Sequence, residues 1–469
     1  MKKSLSIFSL IIFLCLLVGC SRNSDINTTY STEYLSSIQS TEEIKNPIKD
    51  SDEAFVNLDA FSLEDVQEDF DQFVQKYELY HPKYFTDTTL TEAIIEEQRL
   101  LLAEGMNEIE FLRVISPIVA SFNCGHSGVF VSQSTYQDIW INGRFLAIDV
   151  RIINDEIFVF ENALDGRIEI GSVIHSINGV SSFDIIDMMK RNISSDGANE
   201  TSLYNRINGN FRTMFYRYID ASSYHKIVYS YGDSEVLSSI QIDPRTYEEI
   251  YNGDQYGEWL PYKSVFEDEY AILDMNSFSV FEEYMMTSYF EVIDNFFQRV
   301  EDDGIENIIL DLRDNGGGDP MISSYLFRYL AIESQPYFSD STPNYYPSLK
   351  INMPLLEPHF DGELYTIMNG ASGSSSGHLL ALLKYQNIGV FIGEESGASY
   401  VVSDSSRLYN LSHTRIQFNL SSEVWDVAVS GLVKGRGIMP DYEYDLLLSD
   451  YLSVKDEILL FTIDLLSNK

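Results

Sequence analysis

Residues 364–378 read Leu364-Tyr365-Thr366-Ile367-Met368-Asn369-Gly370-Ala371-Ser372-Gly373-Ser374-Ser375-Ser376-Gly377-His378. An apolar, strand-forming run breaks into small and polar residues, and residues 375–385 then take up helical spacing. A serine at such a junction keeps its hydroxyl exposed. The free N–H groups and the dipole at the helix start stabilise negative charge that develops beside it. A second strand end lies at Ile309-Leu310-Asp311-Leu312-Arg313-Asp314-Asn315-Gly316-Gly317-Gly318, and its run of glycines lets the backbone approach a ligand closely.

Outward from these strings, apolar strands (residues 270–275, 307–312, 364–368 and 388–393) alternate with helical segments (residues 284–300, 321–331 and 375–385). That alternation predicts an α/β layer architecture, with any site at the carboxyl ends of the strands. Further upstream, residues 145–150 and 156–160 are strand-like. Residues 168–180 predict a hairpin closed by Asn178-Gly179, and a helix is expected over 182–190. Before that the pattern is helical. Ser62 and Asp65 form a capping box, and Val66, Phe70, Phe73, Val74 and Tyr77 recur at helical spacing. Amphipathic stretches follow at 91–103 and 107–120, the second with an expected kink at Pro117.

The chain begins with an address. Lys2 and Lys3 precede an apolar run over residues 5–18, which is shorter than the ~20 residues a spanning helix needs. The run ends in Leu17-Val18-Gly19-Cys20, which resembles the bacterial lipobox and implies cleavage before Cys20 and acylation of its thiol. Residues 20–53 are polar and poor in large apolar side chains, so a disordered tether is expected. The balance of 31 basic against 72 acidic residues gives −41, a field that repels nucleic acid and anionic lipid heads. Of three cysteines, Cys15 leaves with the signal, Cys20 carries lipid and Cys124 has no partner, which excludes a disulfide framework or a cysteine zinc site. No metal site or cofactor is expected.

The string Asp311-Leu312-Arg313-Asp314-Asn315-Gly316-Gly317-Gly318 resembles the glycine-rich signature of the tail-specific, or carboxy-terminal-processing, serine proteases. Ile392-Gly393-Glu394-Glu395-Ser396-Gly397 and Gly435-Arg436-Gly437-Ile438-Met439-Pro440-Asp441 match two later elements of that superfamily in order. Aligning Leu382-Leu383-Lys384 with the end of the family's nucleophile helix puts the nucleophile at Ser374. One branch uses a lysine base that is absent after Gly397. The tricorn-like branch uses a histidine in a context similar to Asn123-Cys124-Gly125-His126-Ser127-Gly128, which implies His126 as general base. The N–H groups of Gly317 and Ser375 are the implied oxyanion hole. Two positions depart from the pattern. Gly377 stands where the family has glutamate, and Lys434 stands where tricorn-like enzymes place the carboxylate that orients histidine.

The resemblance implies a multidomain α/β protein. It comprises a lipoprotein signal (1–19), the tether (20–53), a helical amino-terminal unit (54–129), a PDZ-like β-rich domain (130–245) and an α/β protease core (246–469). It implies a serine peptidase acting on peptide or protein substrates at the bacterial cell envelope, anchored to the membrane by lipid. Two rivals stay open. Gly373-Ser374-Ser375-Ser376-Gly377 also fits a nucleophile elbow with Ser375 central, for which Asp404 and His413 are the convenient later acid and base. The Gly377 and Lys434 departures also fit a catalytically impaired binding lipoprotein, as retinoid-binding relatives on this scaffold illustrate.

Overall fold

In the strands Ala271–Met275, Asn307–Asp311 and Glu363–Met368, successive side chains pass to opposite faces of a sheet. Ala271, Leu273, Met275, Ile308, Leu310, Leu364 and Met368 share one buried cluster with residues of the helices Glu283–Asp303, Pro320–Leu330 and Ser375–Tyr385. The intervening Ile272, Ile309, Tyr365 and Ile367 share another with Ile458 and Leu466 of the helix Glu457–Ser467. Apolar side chains on both faces explain why these strands read as unbroken hydrophobic runs. Each fully buried aliphatic or aromatic side chain contributes about 1.5–3 kcal/mol relative to exposure.

This is a computed structural model, and it describes residue 56 and residues 58–468 apart from 162–165, 233, 235, 252–259 and 445. The signal, the tether and Cys20 lie outside the described residues. No described helix is long and apolar enough to cross a membrane.

The central sheet has six strands in the order Tyr442–Glu443, Val390–Gly393, Glu363–Met368, Asn307–Asp311, Ala271–Met275, Tyr262–Phe266. All neighbours are parallel except the last pair. Asp311 sits opposite Ile367, so the loops leaving these two strands emerge side by side.

A second, antiparallel sheet runs Asp149–Ile153, Glu156–Glu161, Val173–Ile177, His225–Ser230, Ser238–Ile242, with Val180–Ser181 folded back on Val173–Ile177. The hairpin expected at Asn178-Gly179 forms, with φ of 49° and 85° at its two central residues. The expected helix follows as Ser182–Lys190. The strand anticipated over 145–150 begins instead at Asp149. Leu146, Ala147 and Ile148 are all buried in succession, which a two-faced strand with one wet side does not allow.

The helices Leu63–Tyr80, Thr88–Arg99 and Glu108–Ala120 form the amino-terminal unit. Ser62 and Asp65 exchange the capping bonds anticipated, and Asn107 with Glu110 makes a second such box. The last helix runs past Pro117 to Ala120. Its proline lies in the final turn, where few backbone bonds remain to break. Val66, Phe70, Phe73 and Tyr77 pack with Phe111, Ile115 and Phe122, and also with Leu411, Ile416, Phe418 and Leu420 from far along the chain. The strand Gly128–Phe130 pairs with Gln417–Leu420, which in turn pairs with Arg407–Asn410. The helical unit is thus clamped to a late hairpin, and this clamp fixes the loop between Phe122 and Gly128.

Candidate active site

Side-chain bonds knit together the loops that follow Asn307–Asp311 and Glu363–Met368. Ser372 Oγ donates to the Leu312 carbonyl at 2.8 Å and accepts the Asn369 N–H at 3.0 Å. Asn369 accepts the Asp314 N–H at 3.1 Å and donates to the Asp314 carboxylate at 3.0 Å. The Gly373 N–H donates to the Asn315 carbonyl at 2.9 Å. These ties hold Ser374 at φ 49° and ψ −125°, at the N-cap of the helix Ser375–Tyr385. A non-glycine residue in that region carries strain of about 1–3 kcal/mol, which persists only where its surroundings over-determine it. The adjacent Gly317 has φ 93°, and a Cβ there would lie 2.6 Å from Ser374 Cβ. Only glycine fits.

Ser374 lines a cleft of about 850 Å³ together with Gly125, His126, Asp196, Arg206, Gly316, Gly317 and Gly318. The neighbouring serines are disposed otherwise. Ser375 and Ser376 have buried hydroxyls with no hydrogen-bond partner among the described residues, and Ser372 is occupied in the loop tie. The elbow reading on Ser375 is therefore corrected, because its hydroxyl faces the interior. His413, the base in that reading, holds Asp65 at 2.9 Å and Glu68 at 2.9 Å on the helical unit.

Strand Gly128–Phe130 and the late hairpin bring His126 to the cleft. The His126 carbonyl accepts Ser406 Oγ at 2.8 Å and Asn419 Nδ2 at 2.6 Å. The preceding Gly125 donates its N–H to Asp196 Oδ1 at 2.8 Å, and its carbonyl accepts Arg206 Nη2 at 3.0 Å. Carboxylates flank the imidazole on two sides: Asp404 Oδ2 lies 3.4 Å from Nε2, and Asp196 Oδ2 lies 3.9 Å from Nδ1. His126 and Ser374 share the cleft, and no hydrogen bond joins them. Catalytic hydrogen bonds are often long before substrate binds.

Burial sets the charge states around this pair. It raises the carboxyl of Asp404, against the pull of His126 and the bonds from Ser406. It pushes the Cys124 thiol up to about 12, so the residue standing in the family's aspartate position brings no charge to His126. His378, in the first turn after Ser374, is held down at about 3 by burial and then by His126, and it stays neutral.

The Gly317 N–H donates to Asn315 Oδ1 at 2.9 Å, so Gly317 is not a free oxyanion donor, contrary to the sequence reading. An asparagine two residues before a glycine readily closes such a side-chain turn. The Ser375 N–H, at the start of its helix, makes no hydrogen bond among the described residues. The same holds for the N–H groups of Gly316 and Gly318, which also line the cleft.

The departures also have a physical setting. A Cβ on Gly377 would meet the Ala398 carbonyl oxygen at 2.7 Å, so the glutamate of the pattern has no room. Lys434 Nζ lies over the Tyr84 ring, 3.9 Å from its centroid. Asp196 and Arg206 escaped the sequence reading, since nothing in Asn192-Ile193-Ser194-Ser195-Asp196 marks it as a partner of a loop seventy residues earlier. Among the described residues no group of histidine, cysteine or carboxylate side chains could hold a metal ion.

Residues 269–444 match peptidase family S41. Among solved structures, the chain resembles mature CPAF complexed with lactacystin, with a TM-score of 0.62 at 11% identity, covering 87% of this chain and 99% of that one. Mature CPAF by itself gives a TM-score of 0.62 at 11% identity over 87% and 98% of the two chains. At that identity the likeness concerns the fold. No curated protein sequence matches the chain.

Proposed function

We propose that this chain, whose residues 269–444 match peptidase family S41, is a serine peptidase with Ser374 as its nucleophile and His126 as its general base. The observation that carries this is the backbone of Ser374, held at φ 49° and ψ −125° where a strand gives way to a helix, in the same cleft as His126. Ser374 Oγ adds to the scissile carbonyl carbon while its proton passes to His126. The carbonyl oxygen takes the negative charge and is met by the Ser375 N–H, with a second donor from Gly316 or Gly318. Collapse of the intermediate expels the amine, which takes the proton from His126. Water then attacks the ester by the same sequence and frees Ser374.

The substrate is a peptide or protein tail. The segment 130–245 acts as a PDZ-like module that takes up an extended peptide as an added strand. Supporting this, the Asn178-Gly179 hairpin leads into the helix Ser182–Lys190, and Asp149–Ile153 is an edge strand. The enzyme works outside the cytoplasm of a bacterial cell, tethered by a lipid on Cys20. The alternative, an impaired binding lipoprotein, draws on the missing bond between Ser374 and His126.

An active-serine fluorophosphonate separates the two readings. Labelling should occur on Ser374 and disappear in Ser374→Ala, with thermal unfolding unchanged. His126→Ala should lose activity to a similar degree, because the pair acts as one unit. Labelling that persists in Ser374→Ala would overturn the assignment of the nucleophile, and a parent enzyme inert to probe and peptides alike would hand the case to the alternative.

A further inference from the structure

Asp404 ends the strand Val401–Asp404 and is wholly buried. One of its carboxylate oxygens is engaged: Oδ1 accepts the Ser406 N–H at 2.9 Å and lies 2.8 Å from Ser406 Oγ, whose one proton it shares with the His126 carbonyl. The other, Oδ2, has no hydrogen-bond partner among the described residues and lies 3.4 Å from His126 Nε2. A buried carboxylate oxygen left unbonded costs free energy unless a donor arrives, and the imidazole N–H is the donor within reach. Ser406 Oγ also lies 2.8 Å from the His126 carbonyl, so a single side chain ties the carboxylate to the backbone of the base.

Asp196 is the competing orienter. Its Oδ1 is held by the Gly125 N–H, its Oδ2 is farther from the ring at 3.9 Å, and it is the leading charge partner of Arg206. Among the described residues Asp404 has no cation of that kind, and its favourable charge partner is His126.

From this geometry we infer that Asp404 is the positioning acid of the peptidase: it accepts a hydrogen bond from the His126 Nε2–H, fixes the ring and leaves Nδ1 as the basic nitrogen. The inference rests on His126 being the base. It restores, from another strand, the carboxylate missing at Lys434. During the transfer from Ser374 the imidazole becomes positively charged, and the Asp404 charge stabilises it without itself taking the proton.

The test compares the parent, Asp404→Asn, Asp404→Glu and Asp196→Asn in the full chain by the pH dependence of fluorophosphonate labelling of Ser374. The groups that face His126 are Asp404, Asp196 and His378, with Arg206 behind Asp196 and the neutral Cys124 beside it. Asp404→Asn should slow labelling on the order of a thousandfold or more, as loss of an orienting aspartate does elsewhere. It should also move the acid limb to lower pH, because removing the negative charge lowers the affinity of His126 for its proton. Asp404→Glu should recover part of the rate, and Asp196→Asn should leave the limb nearer to the parent.

Nitrogen NMR of labelled histidine in the parent and in Asp404→Asn gives a readout that does not depend on turnover. The His126 proton should sit on Nε2 in the parent and lose that preference in Asp404→Asn. A parent that fails to label but shows the Asp404-dependent Nε2 proton would sink the hydrolytic assignment while upholding the orienting contact. An Asp404→Asn rate within threefold of the parent with the limb unmoved would overturn the inference, as would the drop and shift appearing in Asp196→Asn instead.

Discussion

Replacing Gly317 by alanine tests whether the strained serine is held by its neighbours. The new Cβ would lie 2.6 Å from Ser374 Cβ, 2.7 Å from the Gly373 carbonyl oxygen and 2.9 Å from the Ser375 nitrogen. Two of those three atoms are backbone, so no flexible side chain can swing aside. The residue would also have to hold φ at 93°, a conformation that costs a non-glycine residue about 1–3 kcal/mol. Forcing a methyl into a filled site costs about 1–3 kcal/mol more. The combined loss should be about 2–6 kcal/mol if the loop stays in place. If it moves, the loss is smaller and Ser374 leaves its position. Urea titration of the parent and Gly317→Ala, followed by tryptophan fluorescence, reads the first effect, and the rate of phosphonate labelling reads the second. Gly316→Ala is the stability control. Its Cβ would meet nothing within 4 Å, so its cost should stay within about 0.5 kcal/mol, as for an uninvolved surface site. The close-approach argument fails if Gly317→Ala matches the parent within that margin and labels at the parental rate.

Cys20→Ala should leave the protein unprocessed or release it from the membrane fraction, and unchanged lipid labelling in that variant would refute the anchor. Acid should weaken the fold through its buried histidines, since burial holds His81 and His378 at about 3. With folded values below the ordinary ~6.5, the unfolded chain binds more protons as the pH falls from about 6.5 towards 3, so stability declines across that window. His81→Gln should flatten the urea-derived stability profile between pH 6.5 and 4. An unaltered slope would show that His81 is not one of the groups responsible.

Local physics made much of this molecule legible in its sequence. The Ser62 and Asp65 capping box, the Asn178-Gly179 turn and the helix Ser375–Tyr385 each depend on contacts within a few residues, and each appears where the residue types call for it. The alternation of apolar strands with helices was enough to place a site at the strand ends, because parallel strands need crossovers and leave their carboxyl-terminal loops together. The family strings carried the rest, singling out Ser374 and His126 as residues of one cleft.

What the tertiary structure decided lies in pairings between distant segments. Asp404 and His126 are far apart in the chain and meet because Gly128–Phe130 pairs with Gln417–Leu420, a strand joined to Asp404 by one hairpin. The occupied N–H of Gly317 could not be read from a run of glycines, since backbone direction and not composition decides where a donor points. Nor does a serine-rich string reveal which hydroxyl faces the cleft. Ser374 does, and Ser375 and Ser376 turn inward, because the sheet register and the tie from Ser372 to Leu312 set the rotation at which the helix begins. Sequence periodicity fixes elements through short-range forces. The site itself depends on loop closures and sheet registers whose free energies are spread over the whole core.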